Sequence, residues 1–241
     1  MIKINEVHIW IASLKIEKSS KDDLLKLLSE DELKRAEKFY FQKDRNHFIA
    51  CRGILRTILG NYLEIDPRKI TFSYNFYGKP SLNLPEKQLS FNLSNSHGMA
   101  LYGLTWNREI GIDIEYIPED FNWEEIVKNF FSKREIKDLY KVPLHMRKRA
   151  FFNCWTRKEA YIKARGKGLS IPLHSFDVSL IPGEPAKLLE VRGEGEEKSR
   201  WHLKEIIIDS DYTSALAVEG QNLQFKYKEW KNCNYSGIGK L

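Results

Sequence analysis

Phe152-Asn153-Cys154-Trp155-Thr156-Arg157-Lys158-Glu159-Ala160-Tyr161-Ile162-Lys163-Ala164, followed by Arg165-Gly166-Lys167-Gly168-Leu169, is the stretch from which the rest of the chain can be read. Its residues favour a helix, and the Gly-x-Gly behind it is a stop signal. On a helix Trp155, Glu159 and Lys163 recur at i, i+4 and i+8 and lie along one stripe. Taken alone, such a Glu/Lys pair is a surface ion pair worth about 0.3 kcal/mol. A second stretch, Gly111-Ile112-Asp113-Ile114-Glu115, raises another reading. Residues i and i+2 of a strand point to one face, so Asp113 and Glu115 project two carboxylates together from an otherwise apolar segment. Like charges side by side are destabilising unless a cation sits between them. Carboxylates from a strand and a helix, Asp113, Glu115 and Glu159, suit a hard, oxygen-loving divalent ion, above all Mg²⁺.

The bulk of the chain sets few limits. Its 241 residues suffice for one large domain or two smaller ones, and 42% hydrophobic residues supply ample core. There is no run of 18 apolar residues and no apolar signal region at the start, so no membrane span is expected. Cys51, Cys154 and Cys233 are odd in number and far apart, without metal-ligand spacing, which fits a reducing, cytoplasmic setting. A formal net charge of +6 admits nucleic acid, a phosphorylated ligand or an acidic protein partner. No run of five Lys or Arg and no recognition module is readable, which argues against nucleic acid.

Along the first half, 6–12 reads as a strand, 20–28 as a short helix, and Ser29 with Glu32 as a capping box. The longest helix is expected over 43–63, its apolar stripe interleaved with Arg45, Arg52 and Arg56. Arg45 and Arg52 are seven residues apart and share a face, either solvated or fitted to anions. After a strand at 70–74, Tyr77-Gly78-Lys79-Pro80 reads as a turn that holds Lys79 out. The strand 89–93 runs into Ser94-Asn95-Ser96-His97-Gly98, expected as a small polar loop that offers hydroxyls and N–H groups to an anion.

From Gly111 the order repeats: a strand, short helices at 123–130 and 133–140, a long helix opened by Pro143, then strand-like segments at 176–180, 187–191, 201–208, 213–218 and 223–227. The stretch 192–199 reads as a hairpin tip, and the tail from Asn232 is uninformative. The expected architecture is α+β, with two similar halves, 1–107 and 108–241, related by a pseudo-two-fold, and a binding crevice between them.

Together, Tyr-Gly-Lys-Pro at 77–80, Phe-Asn-Leu-Ser at 91–94, Gly-Ile-Asp-Ile-Glu at 111–115, Phe-Phe-Ser at 130–132 and Trp-Thr-Arg-Lys-Glu-Ala-Tyr-Ile-Lys at 155–163 resemble the ordered motifs of the 4′-phosphopantetheinyl transferases. The length and layout are similar to the monomeric type that activates surfactin synthetase. The resemblance spans about 32–180 and implies a reaction: transfer of the phosphopantetheine arm of coenzyme A to a serine of an apo acyl or peptidyl carrier protein, releasing adenosine 3′,5′-bisphosphate. It implies that Asp113, Glu115 and Glu159 hold Mg²⁺ (Mn²⁺ is an alternative), and that Glu159 is also the base for the carrier serine. By the same resemblance Lys163 would stabilise the departing phosphate with Lys158 nearby, Lys79 and Ser94 would bind the pyrophosphate, and Arg35 would contact the 3′-phosphate. Two positions depart from the family. Glu32 stands where some relatives have a second base, for which Arg45, His47 or Arg52 could compensate. Asn95 stands where the family usually has a phosphate-contacting histidine, and His97 could share its direction. The basic stretch Lys137 to Arg149 is the expected carrier-docking face. The rival reading is a non-catalytic coenzyme A or nucleotide binder of the same fold.

Overall fold

The computed structural model describes residues 2–84 and 88–231; Cys233 and the tail from Asn232 lie outside them. The first half contributes β1 (Glu6–Ser13), α1 (Lys18–Leu25), α2 (Glu30–Glu37), α3 (Gln42–Leu63), β2 (Phe72–Tyr74), β3 (Pro80–Leu82), β4 (Leu89–Ser96) and β5 (Met99–Trp106). The second contributes β6 (Ile110–Tyr116), α4 (Glu124–Phe130), α5 (Lys133–Lys141), α6 (Leu144–Arg165), β7 (Phe176–Val178), β8 (Leu188–Val191), α7 (Glu197–Arg200), β9 (Trp201–Glu205), β10 (Tyr212–Glu219) and β11 (Gln224–Glu229). The chain is α+β, as expected. The stretch 192–199 is not a bare hairpin tip, because the short helix α7 begins within it.

The two halves repeat one plan. In the first sheet β1 pairs antiparallel with β5 and β5 with β4; in the second, β6 pairs antiparallel with β10 and β10 with β9. Each half lays a helix of 22 residues over its sheet, α3 in one and α6 in the other. Ile54, Leu55, Ile58 and Leu59 of α3 pack with Phe91, Ala100 and Tyr102, while Phe151, Ala160, Tyr161 and Ala164 of α6 pack with Ala215 and Ala217.

The repeat extends to a buried charge. Glu32 sits in the capping box of α2, where its carboxylate accepts from Ser29 N at 3.0 Å and also binds Arg56 Nε at 2.6 Å and Arg52 Nε at 2.7 Å. Glu135 sits in the capping box of α5, accepts from Ser132 N at 2.9 Å and pairs with Lys158 Nζ at 2.8 Å. Arg56 and Lys158 are each the fifteenth residue of their 22-residue helices. In both halves, then, a helix-capping carboxylate anchors a core cation on the long helix that follows.

The chain does not divide by sheet at 107/108. β11 crosses back and pairs in parallel with β1, from Glu6↔Gln224 to Ile11↔Glu229, so the first-half sheet is completed by the end of the chain. Phe225 of β11 also touches His202 and Lys204 of β9. β11 thus fills the seam between β1 and β9. At the other seam, β4 faces β6 with no strand between them, and side chains join the halves there.

Candidate active site

The site forms along that second seam. Asn92, Ser94 and Ser96 alternate on one face of β4. Asn92 Oδ1 accepts from Ile112 N at 2.9 Å, Ser94 Oγ donates to Asp113 Oδ1 at 3.0 Å, and Ser96 Oγ accepts from Tyr116 N at 3.1 Å. Ser96 Oγ also donates to Glu115 Oε2 at 3.2 Å. The segment 94–96 is therefore strand rather than the expected loop, and the turn is made by His97 (φ 48°) and Gly98 (φ 90°).

Gly111 brings in the helix. A Cβ there would lie 2.1 Å from Ala160 O and 2.3 Å from Ala164 N, so only a glycine lets α6 lie this close to β6. The small residues Ala160 and Ala164 face that contact, and Glu159 and Lys163 are carried beside Asp113. Lys163 Nζ donates to Asp113 Oδ1 at 2.6 Å and to Ser94 Oγ at 3.0 Å, linking both halves.

The carboxylates repel one another. Burial, then the charge of Asp113, pushes Glu115 up to about 7. Burial and Asp113 also raise Glu159. Asp113 Oδ2 is buried with no hydrogen-bond partner. Among the described residues no three His, Cys, Asp or Glu side chains converge closely enough to hold an ion, so the expected three-carboxylate set is not closed in this conformation. Of the two Asp113 oxygens, Lys163 is bound to Oδ1 only. An orphaned oxygen and two carboxyls raised by burial and by the Asp113 charge nonetheless fit a hard divalent cation.

Next to the seam is a cleft of about 600 Å³ lined by Arg35, Lys43, His47, Arg52, Tyr74, Gly78, Asn95 and His97, among others. Asn95 points to this side, its Oδ1 3.9 Å from Cys51 Sγ, because consecutive strand residues face opposite ways. Arg35 is exposed on the rim over Phe48. His47 is lowered by burial and by Lys43, so it is largely neutral near pH 7. The ring of His97 stacks on Tyr116 at 4.1 Å, and His97 lines the cleft together with Asn95. Arg45 is not among the residues lining the cleft.

Several expected site residues do something else. Lys158 is fully buried, donates to Leu173 O and Phe176 O at 2.7 Å each, and pairs with Glu135; it holds the core of the second half and does not line the cleft. Arg52 lines the cleft but is paired with Glu32, so Glu32 is the anchor of Arg52 and Arg56 rather than a lost base. Lys79 is not held out from its turn. Its Nζ donates to Glu109 Oε2 at 2.7 Å and Ala164 O at 2.8 Å, clamping the β2–β3 hairpin to the end of α6. Gly78 (φ 84°) permits that turn, Pro80 opens β3, and Tyr77 N donates to Asn75 Oδ1. Sequence reasoning missed Asn75, whose Nδ2 donates to Gly166 O at 2.6 Å, and the cross-seam bonds of Asn92 and Ser96. The last two were findable: a polar residue at every second position of β4 marks a face that meets something polar.

Two family models cover most of the chain: the 4′-phosphopantetheinyl transferase superfamily matches 109–217, and the 4′-phosphopantetheinyl transferase N-terminal model matches 17–103. The 4′-phosphopantetheinyl transferase HetI of Nostoc sp. is 41% identical over 225 residues, covering 92% of each chain. The chain belongs to the 4′-phosphopantetheinyl transferase superfamily. The transferase Sfp of Bacillus subtilis is 34% identical over 158 residues, covering 65% of this chain and 68% of its own. The protein is a transferase of the type that modifies carrier proteins. Among the described residues no helix is long and apolar enough to cross a membrane. Cys51 and Cys154 are free and buried.

Proposed function

We propose that the chain transfers the 4′-phosphopantetheine arm of coenzyme A to a serine of an apo acyl or peptidyl carrier protein, with Mg²⁺, releasing adenosine 3′,5′-bisphosphate. The observation that carries this is the junction of Asp113, Glu115, Glu159 and Lys163 with a basic cleft across one seam. Asp113, Glu115 and Glu159 would hold Mg²⁺, which on binding supplies positive charge to pyrophosphate oxygens. Lys163, held at the seam by Asp113 Oδ1 and Ser94 Oγ, would stabilise the phosphate that departs. Glu159, raised by burial, is closer to neutrality than an ordinary carboxyl and suits the removal of the serine proton. The serine oxygen attacks the phosphorus next to the pantetheine, and the bond to the bridging oxygen of the nucleotide phosphate breaks. Arg35 and Lys43 give the nucleotide phosphates their positive wall, with His47 as a neutral hydrogen-bonding neighbour.

The carrier docks on the second half in this reading. Arg147 donates to Val142 O at 2.9 Å and Arg149 to Ser210 O at 2.9 Å, while Lys148 donates to Pro118 O at 3.2 Å. These side chains brace loops, so steering falls as much to Lys137 and Lys141 on α5. Incubation of the protein with coenzyme A, Mg²⁺ and several apo carrier proteins, read by intact mass, tests the proposal. A phosphopantetheine gain that a chelator abolishes is expected. Coenzyme A binding with no gain on any carrier would favour the non-catalytic reading.

A further inference from the structure

We propose that Ser96 is a positioning residue for Glu115, holding its carboxylate at the seam through a hydroxyl that Tyr116 N–H has already oriented. Ser96 Oγ accepts from Tyr116 N at 3.1 Å, so its one proton is left for Glu115 Oε2 at 3.2 Å. Both ends of this link are fixed. Ser96 is the last residue of β4, paired with Met99 across the His97-Gly98 turn. Tyr116 is the last residue of β6, with its ring stacked on His97 and edge-on to Tyr212, whose hydroxyl donates to His97 O at 3.1 Å. The arrangement sets the end of β6 against the end of β4 where no backbone ladder joins them.

Ser96 also lines the basic cleft, so it stands in the wall between the cations and the carboxylates. Asn92, two turns of the pleat earlier, makes the same kind of cross-seam bond to Ile112 N but, among the described residues, no hydrogen bond to a carboxylate. The pair therefore separates two roles of one polar row: Asn92 joins the halves, and Ser96 joins them and aims Glu115. Groups that orient a metal-ligating side chain in this way commonly change metal affinity 10- to 100-fold, on the order of magnitude, when removed.

The inference rests on the metal reading above, and the test keeps the two apart. Mn²⁺ is titrated into wild type, Ser96→Ala, Ser96→Thr and Asn92→Ala with and without coenzyme A, followed by electron paramagnetic resonance, with thermal stability measured in parallel. Ser96→Ala should bind Mn²⁺ roughly tenfold or more weakly and need correspondingly more metal for half-maximal rate, with kcat at saturating metal changed much less. Ser96→Thr, which keeps the hydroxyl, should restore binding, and Asn92→Ala should lower stability while leaving Mn²⁺ affinity near wild type. Wild-type affinity in Ser96→Ala would overturn the inference, as would an equal loss in Asn92→Ala. If wild type itself binds no Mn²⁺, the metal reading falls first and the inference with it.

Discussion

Lys163 Nζ lies 2.6 Å from Asp113 Oδ1, and this pair ties the long helix of the second half to the strand that carries the site. The Asp113 side chain is 3% exposed and that of Lys163 30%, so the carboxylate cannot leave the pair for water while the lysine can swing outward.

Lys163→Ala should therefore act twice. It leaves Asp113 buried without a counter-charge, so the protein should melt at a lower temperature in chelator. Added Mg²⁺ should recover more stability in the variant than in wild type, because a cation replaces the missing ammonium. At saturating coenzyme A, kcat should fall on the order of a hundredfold, as for loss of one group that stabilises developing charge. A variant with unchanged kcat would remove Lys163 from the reaction.

Stability should depend on pH through Glu115. Its folded value, about 7, is raised above the ordinary 4.5, so the native state favours the protonated carboxyl. The stabilisation is full below the ordinary value and is lost as pH rises through 4.5 to 7. In chelator, wild type should lose melting temperature across that window relative to Glu115→Gln, and Mg²⁺ should flatten the difference. Parallel melting curves for the two proteins would refute this.

Lys158→Met should be a stability variant. Removing one member of the buried Glu135–Lys158 pair costs about 3–5 kcal/mol, since Glu135 is left charged or must take up a proton. Urea unfolding should show the loss, and enzyme that stays folded should keep kcat/KM for coenzyme A within about twofold. A large kcat defect in a stable variant would return Lys158 to the site.

Gly111→Ala should damage both fold and function. The added Cβ meets backbone atoms of α6 at 2.1 and 2.3 Å, which no rotamer change can relieve. Overpacking of this kind costs about 1–3 kcal/mol, and relief by moving α6 would carry Glu159 and Lys163 away from Asp113. The expected outcome is a lower melting temperature together with a fall in kcat larger than any change in KM for coenzyme A.

Asn95→His should improve use of coenzyme A by about fivefold in kcat/KM, with the gain fading as the new imidazole loses its proton. The side chain at 95 faces the basic cleft, so a histidine there would meet the nucleotide phosphates. His97→Ala should change kcat/KM little, because that ring is engaged with Tyr116. Measurement of kcat/KM against pH in both variants decides between the two positions.

The family, the α+β plan and the long helices are legible in the residue order alone. Those follow from local periods: 3.6 residues for the stripe of Glu159 and Lys163, two for Asp113 and Glu115. The residue order also contained the repeat, but only as an order of elements. Which charges face the cleft and which are spent on the core depends on the three-dimensional fold. Arg52, Arg56 and Lys158 read like binding residues in one dimension, and only the fold brings Glu32 and Glu135 to them. Only the fold shows that β11 fills one seam between the halves while the polar row of β4 fills the other. The physical reason is common to all of these. A lone residue states its charge and its local spacing, whereas its partner is chosen by which backbone lies opposite, and that is set by burial of the whole apolar surface at once.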